Sequence, residues 1–257
     1  MKVTRTIPGT RDELAPLRAG TIGLVPTMGA LHEGHLSLLR AARGECETVV
    51  MSLFVNPAQF GEATDLAGYP RDEARDLAVA KDVGVDLVFA PSAEEMYPAG
   101  FQTWVEVVEL GAILEGTFRS GHFRGVATVV LKLLSIVRPD RAYFGQKDAQ
   151  QVEVVRQMIR DLALEVELRV LPTVRDRDGL ALSSRNALLS PGERKRALAL
   201  PRALATKDLE RARELLAESN GLAVDYVELA DFEPRVLAGA VRVGSTRLID
   251  NVIIDEE

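Results

Sequence analysis

The chain has 257 residues, of which 47% are hydrophobic and 27% charged, and a net charge of −7; this is the balance of an ordinary globular protein. No apolar run approaches the ~18 residues that span a bilayer, and no basic block favours a nucleic-acid backbone, so neither a membrane nor a nucleic acid is expected as a partner and small anions must be held by local donors. Cys46 is the single cysteine, which leaves no intramolecular disulfide, and Met1 to Arg5 lacks the apolar core of a secretory signal; a cytoplasmic location is expected.

The first apolar run, Thr21 to Val25, leads through Pro26-Thr27-Met28-Gly29-Ala30-Leu31-His32-Glu33-Gly34-His35 into an amphipathic stretch with Leu36, Leu38, Leu39 and Ala42. That order predicts strand, glycine-containing turn and helix. A helix N-terminus offers unpaired backbone N–H groups and a positive dipole end, which suits a phosphate. His32 and His35, at i and i+3, share one face of the first turn, so both can donate to one anion. Gly29 and Gly34 allow a nucleotide to approach the backbone closely.

Thr48 to Val55 is β-branched and apolar, as expected of a strand buried on both faces. It runs into Asn56-Pro57-Ala58-Gln59-Phe60, two amides around a rigid proline. Amides both donate and accept, which suits a polyol or hydroxy acid; the alternative is an ordinary Asn-Pro turn. A helix is predicted over Asp72 to Val83, and strands over Val85 to Ala90 and Thr103 to Val108. Arg119-Ser120-Gly121-His122-Phe123-Arg124-Gly125 reads as a basic loop, with His122 a helix-start or packing residue. Phe123 to Val137 is apolar nearly all round, a buried helix stopped by Pro139 and assigned no chemistry. A strand over Arg141 to Phe144 opens onto Gly145-Gln146-Lys147-Asp148-Ala149-Gln150-Gln151. There Lys147 can reach a phosphate, and Asp148 can cap the helix or accept from a ribose hydroxyl; a capped, solvated helix start is the alternative. A helix from Ala149 to Leu162 and a strand from Val166 to Leu171 follow.

Strands separated by helix-length segments imply parallel βαβ units. The expected fold is α/β, a Rossmann-like doubly wound parallel sheet over residues 1–172, with ligands at the carboxyl ends of its strands. After Pro172 the texture changes. Arg175-Asp176-Arg177-Asp178-Gly179 reads as a charged linker or hinge, and Leu182-Ser183-Ser184-Arg185 as a mobile phosphate clamp or a polar loop. Ser190-Pro191 opens a helix, further helix runs to Leu216, and strands over Val224 to Leu229, Ala240 to Val243 and Arg247 to Ile254 are expected to be antiparallel. Residues 173–257 are therefore expected to form a smaller α+β lid domain.

The sequence contains no G-x-S-x-G elbow, no Walker A run, no G-x-G-x-x-G and no Cys/His metal spacing, which sets aside a serine hydrolase, a P-loop kinase and a dinucleotide oxidoreductase. What remains is nucleotide chemistry by positioning and charge stabilisation. The runs P-T-M-G-A-L-H-E-G-H, F-V-N-P-A-Q-F, Y-P-R, G-H-F-R-G-V, F-G-Q-K-D-A-Q-Q, D-G-L-A-L-S-S-R-N and R-L-I-D-N, in that order from about residue 20 to the C-terminus, resemble the pantothenate synthetase (pantoate–β-alanine ligase) family of the H-x-G-H nucleotidyltransferase superfamily.

The resemblance implies a cytoplasmic, homodimeric ligase that joins (R)-pantoate to β-alanine with ATP and Mg²⁺. AMP and diphosphate are released through a pantoyl-adenylate, in pantothenate and coenzyme A biosynthesis. It implies that Met28, Gly29, Ala30, Leu31, His32, Glu33, Gly34 and His35 border ATP, with His35, His32 and Lys147 acting on the phosphates. Gly145, Gln146, Lys147, Asp148, Val174, Leu182, Ser183, Ser184 and Arg185 would complete the ATP site, and Gln59, Gln151 and Asn56 would bind substrate. Gln146 stands where many members carry Glu. Asp72 and Asp76 are candidates for a magnesium ligand. Other readings are a nucleotidyltransferase acting on another small acceptor, and a non-catalytic nucleotide-binding module.

Overall fold

The computed structural model describes residues 1–61 and 63–254. The chain divides into two compact units, Met1–Phe144 with Val154–Leu171 and Gly145–Glu153 with Pro172–Glu257. The first unit is built on strands β1 (Lys2–Thr4), β2 (Ile22–Thr27), β3 (Thr48–Leu53), β4 (Leu87–Phe89), β5 (Arg141–Gly145) and β6 (Glu167–Leu171). Their order is β1-β4-β3-β2-β5-β6, and the pairings of β1 with β4, β4 with β3, β3 with β2 and β2 with β5 are parallel. This is the doubly wound sheet that the alternation of apolar runs and helix-length segments implies.

Strand β2 sits in the middle and is paired along its whole length with β3, from Ile22↔Thr48 to Thr27↔Leu53. Helices Glu33–Glu45 and Glu73–Val83 pack on the sheet through Leu38, Leu39, Ala42 and Ala80, which meet Val25, Val49, Met51 and Val88 in one buried cluster. From β2 the chain moves outward to β3 and β4 on one side, and returns to β5 and β6 on the other. The carboxyl ends of β2 and β5 thus form the switch point at which such sheets take their ligands. The helix His122–Val137 is buried on nearly every face, starts after Gly121 (φ +75°) and ends at Arg138 in the left-handed region, one residue before Pro139.

Two expectations are corrected. Thr103 to Val108 forms no strand among the described residues, and its last residue lies in a turn; Val105 donates its N–H to Thr128 Oγ1 at 3.0 Å instead. The β-branched alternation there reflects packing of Val105 and Val107, which are half-buried, rather than a ladder. Arg175 to Gly179 is no open hinge. Its backbone pairs as a tight reversal, Asp176 N–H to Leu180 O at 2.8 Å, and its charges brace the second unit: Arg194 reaches Asp176 at 2.6 Å and Asp178 at 2.9 Å, and Arg175 reaches Asp250 at 2.6 Å.

The second unit has an antiparallel sheet, β7 (Ala223–Ala230), β8 (Val236–Val243) and β9 (Thr246–Ile253), in the order β7-β8-β9. Helices Pro191–Ala197, Ala199–Leu204 and Leu209–Ala217 cover it, with Ala197, Leu200, Leu204 and Leu216 in one buried cluster with Val227, Leu237 and Val241 of the sheet.

One close approach in the first unit leads directly to the site. A Cβ on Gly125 would lie 2.2 Å from Ala58 O and 2.7 Å from Gln59 N, so the helix His122–Val137 admits the short turn Pro57–Gln59 only because position 125 is glycine. Gly125→Ala should therefore overpack this contact and cost about 1–3 kcal/mol, read as a lower denaturant midpoint; an unchanged midpoint would mean that the helix and turn do not meet this closely.

Candidate active site

Strand β2 ends at Thr27, and Gly29 (φ +84°) and Ala30 (φ +50°) turn the chain through the left-handed region into the helix Glu33–Glu45. The turn is held by one buried carboxylate. Asp76, 1% exposed, accepts the N–H of Ala30 on Oδ2 and that of Leu31 on Oδ1, both at 2.8 Å. Its neighbour Arg75 donates to Leu31 O at 3.2 Å. The carboxylate lies so near that a Cβ at Gly29 would stand 2.8 Å from Asp76 Oδ2; glycine is required there by both φ and space.

The two histidines cap their own helix. His32 Nδ1 accepts the Gly34 N–H at 3.2 Å, and His35 Nδ1 accepts the His32 N–H at 3.3 Å, with the ring centroids 4.1 Å apart. A neutral imidazole carries one proton, so an accepting Nδ1 puts it on Nε2. In a neutral ring held this way, Nε2 is the nitrogen that carries the N–H. This modifies the simple picture of a helix N-terminus: the N–H groups of Ala30, Leu31, His32 and Gly34 are satisfied by side chains, and the imidazoles carry donor capacity in their place.

Beside this turn stands the amide pair. Gln59 Nε2 lies 3.3 Å from Met28 Sδ, so Met28 and Gln59 are brought together as the sequence suggested. Asn56, 1% exposed, donates to Gln59 Oε1 at 2.9 Å and to Gly125 O at 3.1 Å, and accepts from Tyr97 Oη at 2.7 Å and from the Ala58 N–H at 3.3 Å. Tyr97 and His122 are partners that sequence reasoning missed. His122 Nδ1 lies 2.8 Å from Gln59 O, and the proximity of its G-H-F-R-G run to the Asn-Pro turn is a tertiary fact with no local signal.

In the second unit, Gly145 precedes the short turn Gln146–Asp148 and the opening residues of the helix Ala149–Asp161, which from Val154 on belongs to the first unit. Asn251, 4% exposed, fixes that turn. Its Nδ2 donates to Gln146 O and Lys147 O, both at 2.9 Å, and its Oδ1 accepts from Gln146 Nε2 at 3.3 Å. The only local signal for this role of Asn251 in the R-L-I-D-N run is an amide inside an apolar strand. Lys147 Nζ lies 3.5 Å from Asp148 Oδ1, and Gln151 is half-buried one helical turn on. Val174 O accepts the Leu182 N–H at 3.0 Å, and Ser183 Oγ accepts the Arg185 N–H at 3.3 Å, so Val174 and Leu182 to Arg185 form one local group.

Among the described residues no three His, Cys, Asp or Glu side chains stand together as a metal cage. Asp72, the other magnesium candidate, caps the helix Glu73–Val83 by accepting from the Arg75 N–H. The chain itself thus supplies anion donors on rigid turns.

A family model for pantoate–β-alanine ligase matches residues 2–253. The chain is 51% identical to a pantothenate synthetase of Moorella thermoacetica, with 99% of each sequence covered, and 53% identical to one of Heliobacterium modesticaldum over 91% of this chain and 92% of that one. Among solved structures, a pantothenate synthetase from Thermus thermophilus superposes with a TM-score of 0.93 at 46% identity, covering 98% of this chain and 99% of that one. A pantoate–β-alanine ligase from Francisella tularensis, described as complexed with βγ-ATP and β-alanine, gives 0.90 at 36% identity, covering 98% and 97%.

The Asp76 carboxylate sets the first prediction about this site. Asp76→Ala leaves two N–H groups of the turn without their acceptor, and each such loss costs about 1–3 kcal/mol. The variant should unfold at lower denaturant and turn over more slowly. Wild-type stability together with wild-type turnover would show that the turn holds its shape without the carboxylate.

Proposed function

The chain belongs to the pantoate–β-alanine ligase family, and from that premise we propose how its residues carry the reaction. It is an enzyme that condenses pantoate with β-alanine at the expense of ATP. A carboxylate is a poor electrophile, so the acid must first be activated. In the proposed first step a carboxylate oxygen of (R)-pantoate attacks the α-phosphorus of ATP, the bond from that phosphorus to the β-bridging oxygen breaks, and diphosphate leaves. In the second, the neutral amine of β-alanine attacks the acyl carbon of the pantoyl-adenylate, AMP departs with the electrons of the C–O bond, and the amine loses a proton as the amide forms.

The observation that carries this division of labour is the state of the two imidazoles. His32 and His35 spend their Nδ1 atoms on the helix cap and so present Nε2–H donors suited to charge that builds on the leaving diphosphate. Preorganised donors of this kind stabilise a transition state without reorganising. His35 is the principal donor and His32 its neighbour, with Met28 to Gly34 bordering the nucleotide. Lys147 adds a full positive charge. Gly145, Gln146, Asp148, Val174, Leu182, Ser183, Ser184 and Arg185 complete the contacts to ATP, and Gln59 and Gln151 read pantoate; Asn56, expected from the sequence to bind substrate itself, is buried with its amide engaged by protein groups and supports Gln59 instead. Magnesium has no cage of protein side chains to enter among the described residues, and is proposed to arrive on the phosphates of ATP, as this strongly hydrated ion commonly does.

A second copy of the chain is the proposed macromolecular partner. The segment Thr103 to Val108 has no strand partner among the described residues, and Trp104 and Val108 are 40% and 70% exposed. Pairing with its counterpart would cover both. We assign the enzyme to the cytoplasm; no helix among the described residues is long and apolar enough to cross a membrane.

Two measurements test these readings. Wild-type enzyme should exchange labelled diphosphate into ATP when pantoate is present and β-alanine absent, and His35→Ala should slow both exchange and turnover by about 10²–10³-fold. Fast turnover without exchange would remove the adenylate, and near-normal exchange in His35→Ala would remove the histidine. In sedimentation the wild type should run as a dimer, and Val108→Asp should shift it toward monomer; a monomeric wild type ends the pairing proposal.

A further inference from the structure

We propose that Asn56, Tyr97 and His122 are positioning residues that lock Gln59 with its carbonyl oxygen turned inward, so that its side chain can offer pantoate only N–H donors. The inference rests on the reading of Gln59 as a pantoate ligand. It adds the polarity of the contact, and therefore the kind of atom read: an oxygen lone pair of the substrate, never one of its O–H groups as donor.

The polarity follows from groups that have no freedom to change sign. The Ala58 N–H can only donate and the Gly125 C=O can only accept. Asn56 must therefore place Oδ1 toward Ala58, 3.3 Å away, and Nδ2 toward Gly125 O, 3.1 Å away. With Oδ1 so fixed, the Tyr97 hydroxyl is its second donor, at 2.7 Å; burial pushes that phenol up to about 12, so it keeps its proton at neutral pH. The remaining N–H of Nδ2 points at the Gln59 side chain 2.9 Å away, which must answer with Oε1. Nε2 is thereby left at the opposite end of the amide, where its partner within the protein is Met28 Sδ at 3.3 Å, a weak acceptor that a substrate oxygen readily outcompetes.

The backbone of Gln59 is held by the same logic. Arg119 Nη1 lies 3.1 Å from His122 Nε2. A guanidinium cannot accept, so Nε2 accepts and the ring proton resides on Nδ1, where it is donated to Gln59 O at 2.8 Å. Both ends of Gln59 are thus tied, and the absent side chain of Gly125 lets the helix carrying His122 come close enough to hold the backbone end.

The test compares Asn56→Asp with Asn56→Ala in steady-state kinetics at alkaline pH, where an introduced carboxyl ionises. An aspartate at 56 can only accept, so it turns Gln59 round to donate inward and shows pantoate the wrong end; alanine leaves Gln59 able to turn either way. The proposal expects the Michaelis constant for pantoate to rise more in Asn56→Asp than in Asn56→Ala, although aspartate preserves volume, while that for ATP stays within about twofold of wild type. A purely structural role predicts instead that the constants for pantoate and ATP rise together in both variants, since a buried charge and a cavity both disturb the turn as a whole. Tyr97→Phe keeps the ring, and so the fold, and should raise the pantoate constant about three- to tenfold, the worth of one hydrogen bond. Likewise His122→Asn, which retains a donor, should restore what His122→Ala loses. If Asn56→Asp is no worse than Asn56→Ala, or if Tyr97→Phe leaves the pantoate constant unchanged, the lock is wrong. Gln59→Ala separates the two levels: a normal pantoate constant in that variant sinks the reading of Gln59 as ligand, whereas a raised one together with either failure above sinks the lock alone.

Discussion

The first unit depends on a carboxylate in a place where a carboxylate is costly. Asp76 is all but removed from solvent, and burying such a group unpaired would carry a heavy penalty. Two backbone N–H groups at 2.8 Å remove that penalty and in exchange are held in one geometry. Because Ala30 adopts a positive φ and Gly29 is pressed against the same carboxylate, the turn has little other choice of shape. The helix start, the two caps and the direction of both imidazoles are set downstream of that contact. A helix 45 residues later in the chain, through Leu31 and Asp76, thus determines the geometry of the histidines.

The second unit repeats the device with an amide. Asn251 reaches back 105 and 104 residues to the carbonyls of Gln146 and Lys147, while its neighbour Asp250 takes the guanidinium of Arg175 through two oxygens at 2.6 and 3.0 Å. Each unit therefore braces a turn of its candidate site from an element remote in sequence. Loops braced in this way keep donors aligned at no cost in ordering when a ligand arrives.

What the sequence disclosed, and what it hid, divides along the same line. The strands around the H-x-G-H turn, the helix beginning at His122 and the antiparallel strands after residue 222 are legible because apolar periodicity, Gly and Pro are local signals. The runs proposed to carry ligand chemistry stand out for the same reason. Hidden were the side chains that support them: Asp76 looked like a candidate magnesium ligand on a helix, His122 like packing, and Asn251 like part of a strand. Arg175 to Gly179 looked mobile because charge and glycine usually mean solvent, yet its charges find Arg194 and Asp250, far along the chain. Thr103 to Val108 has strand composition, but composition does not supply a neighbouring strand.

The aromatic group behind the Asn-Pro turn has an optical consequence. Trp104 is the chain's one tryptophan, and it stacks on Tyr97 with ring centroids 6.0 Å apart and planes 19° apart, beneath the guanidinium of Arg124 at 4.8 Å. Its emission therefore arises beside the ring whose hydroxyl orients Asn56, with no second indole to dilute the signal. Quenching and spectral shift on that fluorophore would report events at the amide pair in solution, on unlabelled enzyme and on the timescale of mixing.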